Sequence, residues 1–507
     1  MKLLEPTSPS PARWSPRQRN DLRPDSRLAD HGWPVAILGV PFDNVTLGAA
    51  VARISTMIAD RRPHYVATAN MDFLVQARGD VELRRILLEA DLVLCDGTPL
   101  VWASRWLGNP LRERVAGADL VPALIREAAG KGHRIFLLGA GAGVAASAAE
   151  HLQGRFPELI ICGHYSPPYS DLLEMDHEEA AGRIREARPD LLLVSFGCPK
   201  QEKWIAMHYR SLGVPVVIGV GASLDFLAER VRRAPLWMQR SGLEWAYRLV
   251  QEPRRLFRRY ANDLVRFAPA MTSQWLNLSP RLLPFTRRSD HRASFSASSW
   301  IQLWAAEALT ILSLKKDARF WSEAMQQKRH CLLDLSRVRA IDSTGTALLA
   351  RWRQQLHAQG LQFVLISPST EVKRALRHLQ LQDHFLTAAN WAEAQGLIKA
   401  TQLPSRPVTL SGSPRPLAWR GEVTAENIDQ VWQLTIDLLR SLGTRQVTLV
   451  IDLSQVRFID SSGVGLMLRV TNWARQNDTE VRFSDPQPDV LNVLQMTRLD
   501  HLLLQPA

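Results

Sequence analysis

Nowhere in this 507-residue chain do about 18 apolar residues run together, so no segment has the unbroken hydrophobic length of a membrane-crossing helix. Cysteine is scarce: Cys95, Cys162, Cys198 and Cys331 lie far apart with no CxxC pair. That spacing excludes a zinc-ribbon pattern and a disulfide framework, and it fits a reducing, cytosolic setting. The opening stretch "MKLLEPTSPSPARWSPRQRNDLRPDSR" lacks the apolar core of a secretory signal. Its proline, serine and arginine read instead as a disordered leader over residues 1–33. Acidic residues are in deficit, 50 against 62 Lys and Arg, leaving a net charge of +12. The excess gathers in "EPRRLFRRY" (252–260) and "RLLPFTRRSDHR" (281–292). Such clusters suit phosphate groups, an anionic lipid surface or nucleic acid, and equally a solvated arginine-rich helix. No nucleic-acid-binding module accompanies them, so nucleic acid is not an expected partner.

What the chain does have is globular composition, 46% hydrophobic and 22% charged, over a length that implies roughly two to four domains. From residue 34 to 226 short apolar runs alternate with helical patterns: "PVAILGV", "HYVATAN", "LVLCDG", "RIFLLGAG", "LIICGHY", "LLLVSFG" and "PVVIGVG". Strand–helix alternation predicts an α/β domain, Rossmann-like, with a mostly parallel sheet covered on both faces. Glycines cluster at the strand ends, where an open parallel sheet has its ligand crevice. Residues 227–265 read as a helical, arginine-rich appendage punctuated by Pro235 and Pro253, and 266–294 as a linker.

An internal repeat follows. "DLSRVRAIDSTG" (334–345) recurs as "DLSQVRFIDSSG" (452–463), each after an apolar strand and before a helix-like run. The duplication predicts two small α/β domains, 295–398 and 407–507, joined through 399–406.

Three stretches of the first domain carry candidate chemistry. In "LVLCDG" a strand ends on Asp96, and a carboxylate there needs compensation for its desolvation. "GAGAGVAA" places Gly139, Gly141 and Gly143 between a strand and a helix, where backbone amides can cradle a diphosphate; glycine turns are also common at such junctions. "SFGCPKQEKWI" sets Lys200, Gln201 and Glu202 on a loop at a strand's C-terminal edge, facing either a ligand or the start of the next helix.

Taken in order, "ILGVPFDNVT", "TANMDFLVQA", "LVLCDGTPLVWASRWLGNPLRERVAGADL", "IFLLGAGAGVAASAAEHL", "GCPKQEKWI", "GVGASLDFLAERVRRAPLWMQRSGLEWAYRL" and "EPRRLFRR" resemble the WecG/TagA/CpsF family of bacterial glycosyltransferases over about residues 34–260. The resemblance implies transfer of a sugar from a UDP-sugar to a polyprenyl-diphosphate-linked acceptor at the cytoplasmic membrane face. The best-known donors in the family carry N-acetylmannosamine or its uronic acid. It makes Asp96 the general base of an inverting displacement; the alternative is that Asp96 caps the following turn. It also puts Thr68 and Asn70 near the donor sugar, Arg114 on the diphosphate leaving group and Gln201 within the same site. From the appendage Arg248, Arg255 and Arg258 are implied to bind diphosphate, with aromatics resting on the lipid or packing the arm onto the sheet. The chain contains no DxD motif, so a metal-bridged diphosphate is not indicated; neither metal nor other cofactor is expected.

The repeated "IDSTG" and "IDSSG" resemble the STAS domain. In regulatory STAS proteins the serine after the aspartate is phosphorylated by a partner kinase, which maps to Ser343 and Ser461. An exposed serine at a helix start would gain nearly two negative charges on modification, whereas the structural reading has the aspartate or serine simply capping the helix. The whole therefore predicts a glycosyltransferase of polysaccharide biosynthesis, peripheral on the inner face of the cytoplasmic membrane. Its expected partners are a UDP-sugar, a lipid-diphosphate acceptor, an anionic membrane surface, a STAS-binding protein or kinase, and a second copy of the chain. The alternative is a non-catalytic scaffold acting through its STAS modules.

Overall fold

The computed structural model describes residues 32–231, 233–282, 284, 290–294, 300–402, 407–410, 417–441, 448–477 and 479–504. The predicted leader lies outside them up to residue 31, and so do residues 403–406 of the joint at 399–406. The chain divides into two compact units: one from 1–46, 97–114 and 264–403, the other from 47–96, 115–263 and 404–507.

The second unit holds the predicted parallel sheet. Its strands are β1 (His64–Ala69), β2 (Leu92–Cys95), β3 (Arg134–Gly139), β4 (Ile160–Tyr165), β5 (Leu191–Ser195) and β6 (Val216–Gly219). They lie in the order β2-β1-β6-β5-β3-β4, each pair parallel. The central runs are apolar at consecutive positions because both faces are covered, and β2, β5 and β6 are buried throughout. Edge strand β4, "IICGHY", is partly exposed along its length. Strand β6, last in the chain, enters between β1 and β5, so the turn after Gly219 emerges in the middle of the crevice edge. The unit also holds helices α1 (Val81–Glu89) and α2 (Lys200–His208).

In the first unit the sequence expectation needs two corrections. "PVAILGV" does not join the parallel sheet; Gly32–Ile37 pairs antiparallel with Val40–Asn44. The reason is the turn, where Leu38 and Gly39 have φ of 47° and 89°, the two successive positive φ values of a tight hairpin. The predicted linker from 266 is helix as far as Leu278, because Pro253–Leu278 runs unbroken. Phe267, Met271, Gln274 and Leu278 recur at helical spacing and are buried, which sustains the helix past the arginine-rich segment.

Both repeats fold as predicted into small α/β modules, with a five-stranded sheet in the first and a four-stranded one among the described residues of the second. The first has β7 (Arg292–Ser294), β8 (Trp300–Trp304), β9 (His330–Asp334), β10 (Phe363–Ile366) and β11 (Leu386–Ala388), with β7 antiparallel to β8 and the others parallel. The second has β12 (Val408–Leu410), β13 (Leu417–Val423), β14 (Thr448–Ile459) and β15 (Glu480–Ser484), with β12 antiparallel and the remainder parallel. The repeated motif ends a strand and starts a long helix in each case, α3 (Ser343–His357) and α4 (Ser461–Gln476).

Candidate active site

Asp96 stands one residue beyond the last residue of β2, its N–H donating to the Ala69 carbonyl at 2.9 Å. Its Oδ2 accepts the Gly117 N–H at 3.3 Å. Gly117 is the first residue of helix Gly117–Lys131, so the carboxylate faces the positive end of that helix. The half-buried acid is thereby compensated at the C-terminal edge of the sheet.

Around it the neighbouring strand ends converge. Thr68, at the end of β1, donates its hydroxyl to the Gly219 carbonyl at 2.8 Å, and Ser223 donates to Val220 O at 2.7 Å. A side chain added at Gly117 would meet Ser223 Oγ at 3.0 Å and Thr68 Oγ1 at 3.6 Å, which shows how closely these groups surround Asp96's partner. Asn70 caps helix Met71–Ala77, accepting the Phe73 N–H at 3.3 Å.

The glycine loop follows β3. Gly139 has φ +98°, and a Cβ there would lie 2.5 Å from Ser195 O, so glycine is required for β3 and β5 to pair to their ends. Gly141 and Gly143 are exposed, and Gly143 leads into helix Val144–Arg155. Arg230 reaches this loop, its Nη2 3.4 Å from Ala142 O. Arg233 binds Ala118 O at 3.0 Å, Asp119 at 2.7 Å and Glu244 at 3.3 Å, tying helix Glu244–Gln251 to the helix whose first amide holds Asp96. Neither arginine was singled out from the sequence; their signal is the basic run that follows "SLDFLAE".

The "PKQE" loop departs from expectation. Gln201 and Glu202 turn inward and are buried, and only Lys200 of the three remains partly exposed. Gln201 Oε1 accepts the Gly221 N–H at 3.0 Å, while its Nε2 donates to Glu202 Oε1 at 2.7 Å. Its amide shapes the turn beside Thr68 and faces the interior. Burial raises the Glu202 carboxyl to about 7. Lys200 donates to Ser170 O at 2.5 Å.

Of the remaining predicted residues, Arg248 lies 5.4 Å from the Phe226 ring centroid and Arg258 is exposed. The side chain of Arg255 lies outside the described residues, and Arg114, half-buried, belongs to the first unit. Among the described residues no group of three or more His, Cys, Asp or Glu side chains has a metal-holding arrangement.

Both STAS serines were expected on exposed loops, and both are buried. In the first unit Ser343 accepts the Gln274 Nε2–H at 2.9 Å, and Asp342 caps α3 by accepting the Thr344, Gly345 and Ile311 amides at 2.8, 2.9 and 2.8 Å. In the second unit Asp460 accepts the Gly463 and Ala425 amides, both at 3.0 Å. Ser461 donates its N–H to Glu82 Oε1 at 2.6 Å and its hydroxyl to Glu82 Oε2 at 2.8 Å. The capping reading of the aspartates is thus what the geometry displays. Burial of the serines comes from remote parts of the chain, which no local pattern encodes.

A parallel sheet with an acid, hydroxyls and a glycine loop at its C-terminal edge, followed by two repeated α/β modules, fits a glycosyltransferase with appended STAS domains. The comparisons agree: the "Glycosyl transferase WecG/TagA/CpsF family" model matches residues 35–281, "STAS domain" matches 307–394 and "Mlab, STAS domain" matches 408–505. The chain is similar to the N-acetylglucosaminyldiphosphoundecaprenol N-acetyl-beta-D-mannosaminyltransferases of Staphylococcus aureus strains MW2 and NCTC 8325. Each is 32% identical over 226 residues, which is 44% of this chain and 87% of the relative. The chain belongs to the WecG/TagA/CpsF family of glycosyltransferases.

Proposed function

We propose that this protein moves a sugar, N-acetylmannosamine or a related hexose or uronic acid, from a UDP-sugar to a polyprenyl-diphosphate-linked acceptor during polysaccharide assembly. The observation that carries this reading is the Asp96 carboxylate, held on the Gly117 amide at the crevice edge beside Thr68. A sugar hydroxyl is a poor nucleophile at neutral pH. Asp96 accepts its proton as the oxygen bonds to the anomeric carbon, and the bond from that carbon to the diphosphate oxygen breaks, releasing UDP. One displacement inverts the anomeric centre. The exposed glycine loop offers backbone amides to the diphosphate, and Arg230 beside it offers permanent positive charge without a bridging metal.

No helix among the described residues is long and apolar enough to cross a membrane. In the second unit Trp237, Trp245, Val250 and Phe257 are exposed on the arginine-rich segment. This segment rests on an anionic membrane surface at the inner face, aromatic side chains in the interface and arginines among headgroups. The STAS modules regulate the transferase, and a kinase would reach Ser343 or Ser461 only after the surrounding contacts open.

The test is a panel of UDP-sugars with a short-chain lipid-diphosphate acceptor, reading UDP release and the anomeric configuration of the product. One donor is expected to give an inverted product. No turnover with any donor, or retention of configuration, contradicts the proposal.

A further inference from the structure

Within the second unit the start of α4 is occupied by a side chain from the transferase sheet's own helices. Glu82, at the second position of α1, is 1% exposed, and both its oxygens are engaged by Ser461. Lys203 of α2 lies 2.9 Å from Glu82 Oε2 and 2.8 Å from Asp80 Oδ2. Burial opposes the charge on Lys203, yet Glu82 and Asp80 outweigh it and hold its pKa above the ordinary value. Around this centre Asn492 accepts the Val81 N–H at 3.2 Å and donates to Gly79 O at 3.0 Å. Arg85 pairs with Glu422 at 2.5 Å and lies 4.2 Å from the Phe458 ring centroid.

Contrast with the first repeat is informative. There the equivalent serine meets a neutral amide, Gln274, whereas Ser461 meets a carboxylate that also carries an ion pair. A buried carboxylate at a helix start is stabilised by the free amides and positive end of that helix, and removing one partner leaves the other charge uncompensated. The link continues inward. Lys203 and Gln201 share α2, and Gln201 holds the Gly221 amide in the turn beside Thr68.

We propose that the second STAS module is a built-in regulator of the transferase domain, latched in cis by Glu82 on Ser461, and that the latch positions α2 and hence the Gly219–Gly221 turn. Glu82 and Lys203 are positioning residues that act through Gln201. An open latch frees Ser461 and loosens the turn; a closed one holds both.

Hydrogen exchange on the full chain tests this without relying on any substrate. Glu82→Gln keeps the shape but loses the charge, and Ser461→Ala removes only the hydroxyl. The Glu82→Gln variant is expected to exchange at least tenfold faster than the unaltered chain at residues 461–464 and at the Gly221 amide. Ser461→Ala should show a smaller rise at the same places, while the amides of β13 and β14 stay protected and report an intact module. Unchanged exchange at 461–464 in both variants overturns the latch. Faster exchange there with Gly221 unmoved overturns the coupling to the site. If Glu82→Gln fails to fold, Ser461→Ala decides alone on the same criteria.

Discussion

At the scale of single residues, what is buried decides more than what is charged. Gly139 is fixed by two constraints at once, a positive φ and the Ser195 carbonyl where a Cβ would sit. Gly139→Ala should therefore cost about 2 kcal/mol of stability, seen as a lower urea midpoint at unchanged slope. Glu202 makes a different prediction. Burial raises its carboxyl from the ordinary carboxylate range to about 7, so between the two the folded chain holds a proton that the unfolded chain has already released. Stability from this group is complete below its unfolded pKa and is lost as pH rises through about 7. Urea midpoints measured from pH 5 to 8 should fall with pH, and Glu202→Gln should flatten that slope. The sequence showed that "PKQE" was polar and placed at a strand edge. It could not show that two of those side chains turn inward, because their partners come from the turn after β6.

The same lesson holds for whole elements. Local pattern was enough for the six strands of the parallel sheet, for the helix starts at Asp342 and Asp460, and for the duplication itself. It was not enough where a distant element sets the outcome. The first apolar run folds back at Leu38–Gly39, and the arginine-rich helix continues to Leu278 on a buried stripe inside a segment whose composition reads as linker. The helix starts carry their own prediction. Asp342 caps three backbone amides, and Asp342→Ala leaves them unpaired in the interior, at a cost of about 3 kcal/mol in thermal or denaturant unfolding. Burial also raises Asp342 to about 6, and burial together with Glu82 raises Asp460 to about 7, against the favourable pull of Arg85. Both acids have raised folded pKa values, so the contribution of each to stability is complete below its unfolded value and is lost as pH rises through about 6 for Asp342 and about 7 for Asp460; Asp342→Asn and Asp460→Asn should flatten the fall of the urea midpoint over that range.

For the molecule as a whole, the chain joins a WecG/TagA/CpsF-family glycosyltransferase to two STAS modules, with no helix among its described residues long and apolar enough to span a bilayer. Its net charge of +12 and the exposed Trp237, Trp245 and Phe257 predict binding to anionic vesicles that weakens as salt rises. Arg258→Gln should reduce that affinity about fivefold, the effect of one basic side chain near an anionic surface, and vesicle sedimentation measures it. The basic clusters were legible from composition. Which arginines sit by the glycine loop was not, because Arg230 reaches it only through the fold.

The central claim is that Asp96 takes the proton of the attacking hydroxyl. Single-turnover sugar transfer at saturating donor and acceptor, compared between the unaltered chain and Asp96→Asn, tests it most directly. The rate should fall by about 10²–10⁴-fold while donor binding stays within a few-fold. Transfer by Asp96→Asn within a few-fold of the unaltered chain would contradict it.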